Sequence, residues 1–377
     1  MRISHCGELR ELPYDLGSLQ SLETLDIWNC RNLQSISYQN GQEGLHSLRS
    51  LDIRECNELS NLPNEMLECS KSLQRISVQE CPNLTSLPEM NGMGSLQNLI
   101  VIRCNNLTSF PKLSGIGFLN SLIELEIGKF SNSMQFSSFQ DFLDGIEQIK
   151  SLEKLRLEGQ ADWVCLPDQL QHLTSLEELT ICDFGMEEMP DWLWNLSSLR
   201  HLRVFGCDNL TSFPKFSGIG CSLTELTIGG FSRFSSFQDF LNGIKHIKSL
   251  EKLSLLGRED WVSLPYQLQH LTSLKELQIF YFGMEALPDW FGNLSSLEVL
   301  WLLVCEKLRY LPSQEAMQRL TKLKRLHING CPLLKERCKA KSGPDSEWPK
   351  ISNIPQLYLR FEYPNINDYI LTDVHLW

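Results

Sequence analysis

"SLETLDIWNC", residues 21–30, decides how this chain is read. Its apolar residues alternate through Leu25 and Ile27, the period of a short strand with one covered face, and the stretch then ends in Cys30. The same phrase returns with Leu48, Leu51, Ile53 and Cys56, with Leu73, Ile76, Val78 and Cys81, and with Leu96, Leu99, Val101 and Cys104. Later instances begin at Leu122, Leu152, Leu176, Leu199, Leu223, Leu250, Leu274, Leu297 and Leu323, and a half unit stands at Ile3 and Cys6. That makes about fourteen repeats, and each strand is followed by a second apolar cluster such as "LPDQLQHLTSL" (166–176) that turns the chain back.

A unit of this size cannot fold alone. Ordering costs about 1 to 2 kcal/mol per residue, whereas each buried leucine returns only about 1.5 to 3 kcal/mol. Stacked units share their apolar faces, so the pattern predicts an α/β leucine-rich repeat solenoid. It would be curved, with a parallel sheet on the concave face and loops or short helices on the convex face. The solenoid is expected over residues 1–338 and a C-terminal cap or tail over 339–377.

The recurring cysteine has four readings: a disulfide, a metal ligand, a reactive thiol or a packing slot. Cys6, Cys30, Cys56, Cys81, Cys104, Cys207, Cys305 and Cys331 share one register, but Phe130, Phe184, Phe231 and Phe282 fill the same slot elsewhere. Phenylalanine neither pairs nor ligates, so the slot asks for inward apolar volume and a thiol meets that need. No metal site is expected, and the Cys331 to Cys338 spacing fits no common zinc pattern. Cys338 is assigned to the cap, Cys69, Cys165 and Cys221 to filler, and Cys182 to an outward strand position as the one exposed thiol.

The composition narrows function. A formal net charge of -12 over 377 residues supplies no basic stripe for nucleic acid. The longest apolar run, Val299 to Cys305, is too short to span a bilayer, and the first residues lack a signal-peptide core, so no membrane partner and a cytoplasmic location are expected. The chain begins inside a strand with no polar capping unit, which reads as a fragment. No HExxH, GxSxG or Cys/His arrangement appears among the scattered histidines, so no catalytic residue and no cofactor are expected.

The LxxLxLxxCxxLxxLP form of "LDIRECNELSNLP" (51–63) and "LRVFGCDNLTSFP" (202–214) resembles the leucine-rich repeat region of plant intracellular nucleotide-binding resistance proteins of the coiled-coil class. "CPLLKERCKAKSGPDSEWPKISNIPQLYL" (331–359) is similar to the ending of many of them. The resemblance implies a role in innate immunity. Partners would be a pathogen effector or a guarded host protein, and a nucleotide-binding module of a full-length parent that the repeats restrain. No GxxxxGK[ST] loop occurs here, so the chain itself should bind no nucleotide. The alternatives are a signalling scaffold unrelated to defense and an extracellular receptor ectodomain; the ending disfavours the first, the missing signal peptide the second.

An internal duplication points to a face. Residues 107–209 match 210–307 closely, as in "FSSFQDFLDGI" against "FSSFQDFLNGI". Leaving aside Gln160 with Arg258, fourteen of fifteen paired inward positions are identical, Val204 against Leu302 being the exception. Of twelve paired outward strand positions eight differ: Glu126/Thr227, Arg156/Ser254, Glu158/Leu256, Thr180/Gln278, Cys182/Phe280, His201/Val299, Arg203/Trp301 and Phe205/Leu303. The outward face is therefore the candidate protein-binding surface. The first copy offers Glu124, Glu126, Lys154, Arg156, Glu158, Arg203 and Phe205. The second offers an exposed apolar run of Leu256, Phe280, Tyr281, Val299, Trp301 and Leu303, and Trp28 stands near the start. Alternatively, the tail with Trp348, Phe361 and Tyr363 folds back and turns that run into core.

Overall fold

The computed structural model describes residues 1–360 apart from 13–15, 17, 37–44, 63–66, 68–69, 88–89, 91–92, 109–118, 131–139, 141–142, 212–221, 232–243 and 245–246. Two compact units divide the chain, Met1–Phe184 and Gly185–Trp377.

The first unit carries β1 (Arg2–Ser4), β2 (Thr24–Trp28), β3 (Ser50–Arg54), β4 (Arg75–Gln79), β5 (Asn98–Ile102), β6 (Glu124–Gly128), β7 (Lys154–Glu158) and β8 (Glu178–Cys182). Each pairs in parallel with its sequence neighbour. Register follows the leucine stripe: Leu25, Leu51, Ile76, Leu99, Leu125, Leu155 and Leu179 align, as do Ile27, Ile53, Val78, Val101, Ile127, Leu157 and Ile181. All are buried, and a slip of one residue would turn every stripe to the other face.

The second unit carries β9 (His201–Phe205), β10 (Glu225–Gly229), β11 (Lys252–Leu256), β12 (Glu276–Phe280), β13 (Val299–Leu303), β14 (Arg325–Asn329) and β15 (Gln356–Arg360), again parallel and in order. Among the described residues three short α-helices accompany them: α1 (Gln314–Arg319), α2 (Pro332–Lys339) and α3 (Trp348–Ile351). The repeat pattern did not announce β15, whose "QLYLR" lacks the leading LxxL but keeps the alternation.

Most strands stop in the same way. The next residue adopts a left-handed backbone, as at Asn29 (φ 51), Glu55 (φ 55), Lys129 (φ 52) and Tyr281 (φ 61), a region few non-glycine residues enter. In return its N–H bonds the carbonyl ending the following strand, Asn29 to Arg54 at 2.9 Å and Tyr281 to Leu303 at 3.1 Å. The turn swings the next side chain inward, which is the cysteine or phenylalanine slot. Cys30, Cys56, Cys81, Cys104, Cys207, Cys305 and Cys331 are buried free thiols, and Phe130, Phe184, Phe231 and Phe282 are buried in the same place. The thiols add a weak bond that phenylalanine cannot make: Sγ of Cys81 donates to the Gln79 carbonyl at 3.4 Å and Sγ of Cys56 to that of Arg54 at 3.5 Å. Only Cys6, in the incomplete first unit, is exposed within this ladder.

On the opposite side the LPxxL clusters and their MPxxL and LPxxF variants form 3-10 turns at Asp168–His172, Asp191–Asn195, Tyr266–His270 and Asp289–Asn293. Pro167, Pro190, Pro265 and Pro288 precede them, and their restricted φ pre-sets the entry. Beneath, Trp163 lies against Phe184 and Trp261 against Phe282, each at 5.8 Å between ring centres, so the duplication copied this packing intact.

Candidate protein-binding face

The outward strand positions are far more buried than their sequence suggests. Strands ~4.8 Å apart place side chains of equal register row on row, and long neighbours cover one another. Glu126, Arg156, Glu158, Thr180 and Arg203 are buried in the first copy, and Ser254, Leu256, Gln278, Phe280, Val299 and Leu303 in the second. Cys182, expected as an exposed thiol, is buried with its Sγ donating to the Leu157 carbonyl at 3.6 Å, while Cys165, expected as filler, is exposed.

In the first unit the face is ionic. Arg156 Nη2 donates to Glu158 Oε1 at 2.5 Å, and Arg103 Nε stands 3.8 Å from Glu158 Oε2 while its Nη1 holds Glu80 at 2.6 Å. Glu124 accepts from Asn98 and pairs with Arg75 at 3.6 Å. Lys129 pairs with Asp183 at 2.7 Å. Glu126 lies in this network with one carboxylate oxygen buried and without a hydrogen bond. Desolvation pushes its carboxyl up to about 7, more than Arg156 pulls it down. Trp28 stands apart, 42% exposed, its ring edge-on to His5 at 4.6 Å and its Nε1 donating to Glu55 at 3.0 Å.

In the second unit the C-terminal ends of β11, β12 and β13 make an apolar patch, and the expected exposed run is corrected. Leu256, Phe280 and Leu303 hold successive register positions on β11, β12 and β13, so they close on each other as a satellite core. Only Tyr281 and Trp301 remain partly open against it, and Phe205 is half-buried on β9. Trp348 does not cover this run, because α3 packs beside α1 and α2; Phe361 and Tyr363 lie outside the described residues. One of the four unchanged outward pairs has a steric reason. At Gly128 and Gly229 an added Cβ would lie 2.0 Å from the carbonyl oxygen of Glu158 or Leu256, and both have left-handed φ.

Sequence reasoning missed a ladder of rings. Trp301, His327 and Tyr358 share register on β13, β14 and β15. Trp301 and His327 stack at 3.5 Å with planes 10° apart, and His327 and Tyr358 at 4.4 Å and 8°. His327 was legible as the middle outward residue of the repeat beginning at Leu323, but Tyr358 belonged to no recognised repeat. Among the described residues no cluster of three or more His, Cys, Asp or Glu could hold a metal ion, and no helix is long and apolar enough to cross a membrane.

Comparison with known proteins places the fold. A profile described as a leucine-rich repeat region matches residues 3–229. The chain belongs to the leucine-rich repeat family. A second profile, R13L1/DRL21 LRRs, matches residues 266–331 of this leucine-rich repeat chain. It is 27% identical over 306 residues to TMV resistance protein N of Nicotiana glutinosa, covering 79% of this chain and 23% of that protein. It is 32% identical over 186 residues to Disease resistance protein RPP4 of Arabidopsis thaliana, covering 49% of this chain and 15% of that protein. The leucine-rich repeat chain thus spans less than a quarter of either relative, and it is a repeat region of the plant disease-resistance type. Among solved structures, the Toll–Spatzle complex of Drosophila development and innate immunity superposes with a TM-score of 0.53 at 17% identity, over 90% of this chain and 47% of that one, a likeness of fold alone.

Proposed function

We propose that the outward strand face recognises a protein partner in plant defense, either a pathogen effector or a guarded host protein, in the cytoplasm. In a longer parent the N-terminal repeats would contact a nucleotide-binding module and restrain it. Binding rather than turnover is the reading that suits a face of packed side chains. One observation carries it. After duplication the outward strand positions changed at eight of twelve pairs, while His172 with His270 and Thr174 with Thr272, at and just after the 3-10 turns, stayed identical although all four are exposed. Free drift of exposed positions predicts the opposite distribution. The resemblance to two disease resistance proteins supplies the biological setting.

The burial pattern selects the residues to test. Phe280 and Leu303 belong to the satellite core, so replacing them would damage the fold. Trp28, Phe205, Tyr281 and Trp301 are open enough to meet a partner. The test is co-precipitation of the full chain with a panel of pathogen effectors and host proteins, comparing wild type with Trp28→Lys, Phe205→Lys and Tyr281→Lys. Loss of a specific partner in at least one variant that still melts cooperatively supports the reading. Undiminished capture by all three rejects this face as the site.

A further inference from the structure

The ion pairing of the strand face breaks down at one place. At the first strand position cations elsewhere are matched by a carboxylate one or two strands away: Lys154 with Glu178 at 3.0 Å and Lys252 with Glu225 at 3.8 Å on adjacent strands, and Arg75 with Glu124 at 3.6 Å across β5. Arg325 occupies that position on β14, and its register neighbours are Val299 and Gln356. Arg360 ends β15 opposite Asn329. Both arginines are exposed, and neither has an ion pair among the described residues. In a chain of net charge -12 this is a local inversion of sign.

The ladder of Trp301, His327 and Tyr358 runs between these arginines. His327 is held neutral below its ordinary range, down to about 4, chiefly by desolvation and then by the nearby charges of Arg325 and Arg360. Its Nε2 is buried without a hydrogen bond. Tyr358 ends the described ladder 39% exposed, with one ring face on His327.

We infer that the outward face of β13, β14 and β15 is a docking site for an acidic segment of a partner protein that carries an aromatic side chain. Its carboxylates take the guanidinium groups of Arg325 and Arg360, whose forked donors suit bidentate pairing. Its ring extends the stack beyond Tyr358. The inference rests on the reading of the strand face as a protein-binding surface and supplies the chemistry of the partner at one end of it.

The probe is a fluorescein-labelled random copolymer of glutamate and tyrosine, with polyglutamate for comparison, titrated by anisotropy against the full chain. Wild type should bind the copolymer at least several-fold more tightly than polyglutamate, with affinity falling as salt rises. Arg325→Gln with Arg360→Gln should weaken it at least tenfold, and Tyr358→Ala should remove the preference over polyglutamate. Thermal melts certify that these exposed variants remain folded. Equal binding by the double arginine variant, or none by wild type, overturns the inference. A third result also overturns it: binding that appears only when Glu362, Asp368 and Asp373 of the chain's own last residues are changed to Gln, Asn and Asn assigns the face to that segment. Because these variants leave Trp28, Phe205 and Tyr281 untouched, failure here is distinguishable from failure of partner capture.

Discussion

Arg156 and Glu158 lie two residues apart on one strand, point to the same face and join at 2.5 Å with both side chains buried. The duplicated strand holds Ser254 and Leu256 in their places, beside Thr227 where the first copy has Glu126. One scaffold thus carries two interchangeable solutions for the same row, an ionic one and an apolar one.

That exchange can be tested directly. Arg156→Met leaves the buried Glu158 only its 3.8 Å contact with Arg103 and should cost about 3 kcal/mol in urea unfolding. The triple change Glu126→Thr, Arg156→Ser and Glu158→Leu installs the second copy's set and should fall within about 1.5 kcal/mol of wild type, since replacing a buried ion network by packed neutral groups is often neutral. A triple variant as damaged as the single one would refute the equivalence.

Glu126 sets a pH dependence. Its folded pKa of about 7 lies above the ordinary 4.5, so the folded state holds the proton more tightly. Stability is then greatest below pH 4.5 as far as this group is concerned, and falls as pH rises through 7. The full loss is about 3 kcal/mol by proton linkage. Unfolding midpoints taken from pH 5 to 8 should flatten in Glu126→Gln, and an unchanged profile would remove Glu126 as the cause.

His327 works in the other sense. A folded pKa of about 4, below the ordinary 6.5, keeps its contribution whole above pH 6.5 and erodes it as pH falls toward 4. Its imidazole resonances should stay those of the neutral ring at pH 5.5, and Arg325→Gln should raise the midpoint.

Gly229 admits no side chain. Gly229→Ala drives a Cβ to 2.0 Å from the Leu256 carbonyl oxygen at φ +139, a clash with backbone that no rotamer relieves. A loss of about 3 kcal/mol or more is expected in thermal unfolding, by analogy with other strained or overpacked sites. Gly7→Ala, with open space around it, should change nothing.

Thiol labelling separates the ladder from the surface. Cys6 and Cys165 are exposed, whereas burial pushes Cys104 and Cys338 up to about 12. With a thiol reagent on the native protein, Cys6 and Cys165 should react in the fast phase, and Cys30, Cys104, Cys182 and Cys338 only as the chain unfolds. Fast labelling of Cys182 would contradict its packing against Leu157.

The leucine stripe was readable because alternation is a local property. Leu25 and Ile27 declare their shared face without reference to anything distant, and phenylalanine at 130 and 184 shows from sequence alone that the cysteine slot is a matter of volume. The candidate site was less readable. Phe280 looks like an exposed outward residue until the register with Leu256 and Leu303 is known, and Cys182 fails in the same way beside the β7 backbone. The ring ladder depends on alignment across connections of unequal length, and Tyr358 lay in a segment with no repeat signature.

By itself the sequence determined the parallel stacking of short strands, the inward stripes and the slot that closes each strand, because each follows from a period of two and from the need of every unit for its neighbour's apolar surface. Only the tertiary structure decided which outward side chains cover one another and which stay open. Burial on that face depends on what stands one strand away, about 25 residues distant in the chain, and no local pattern encodes it.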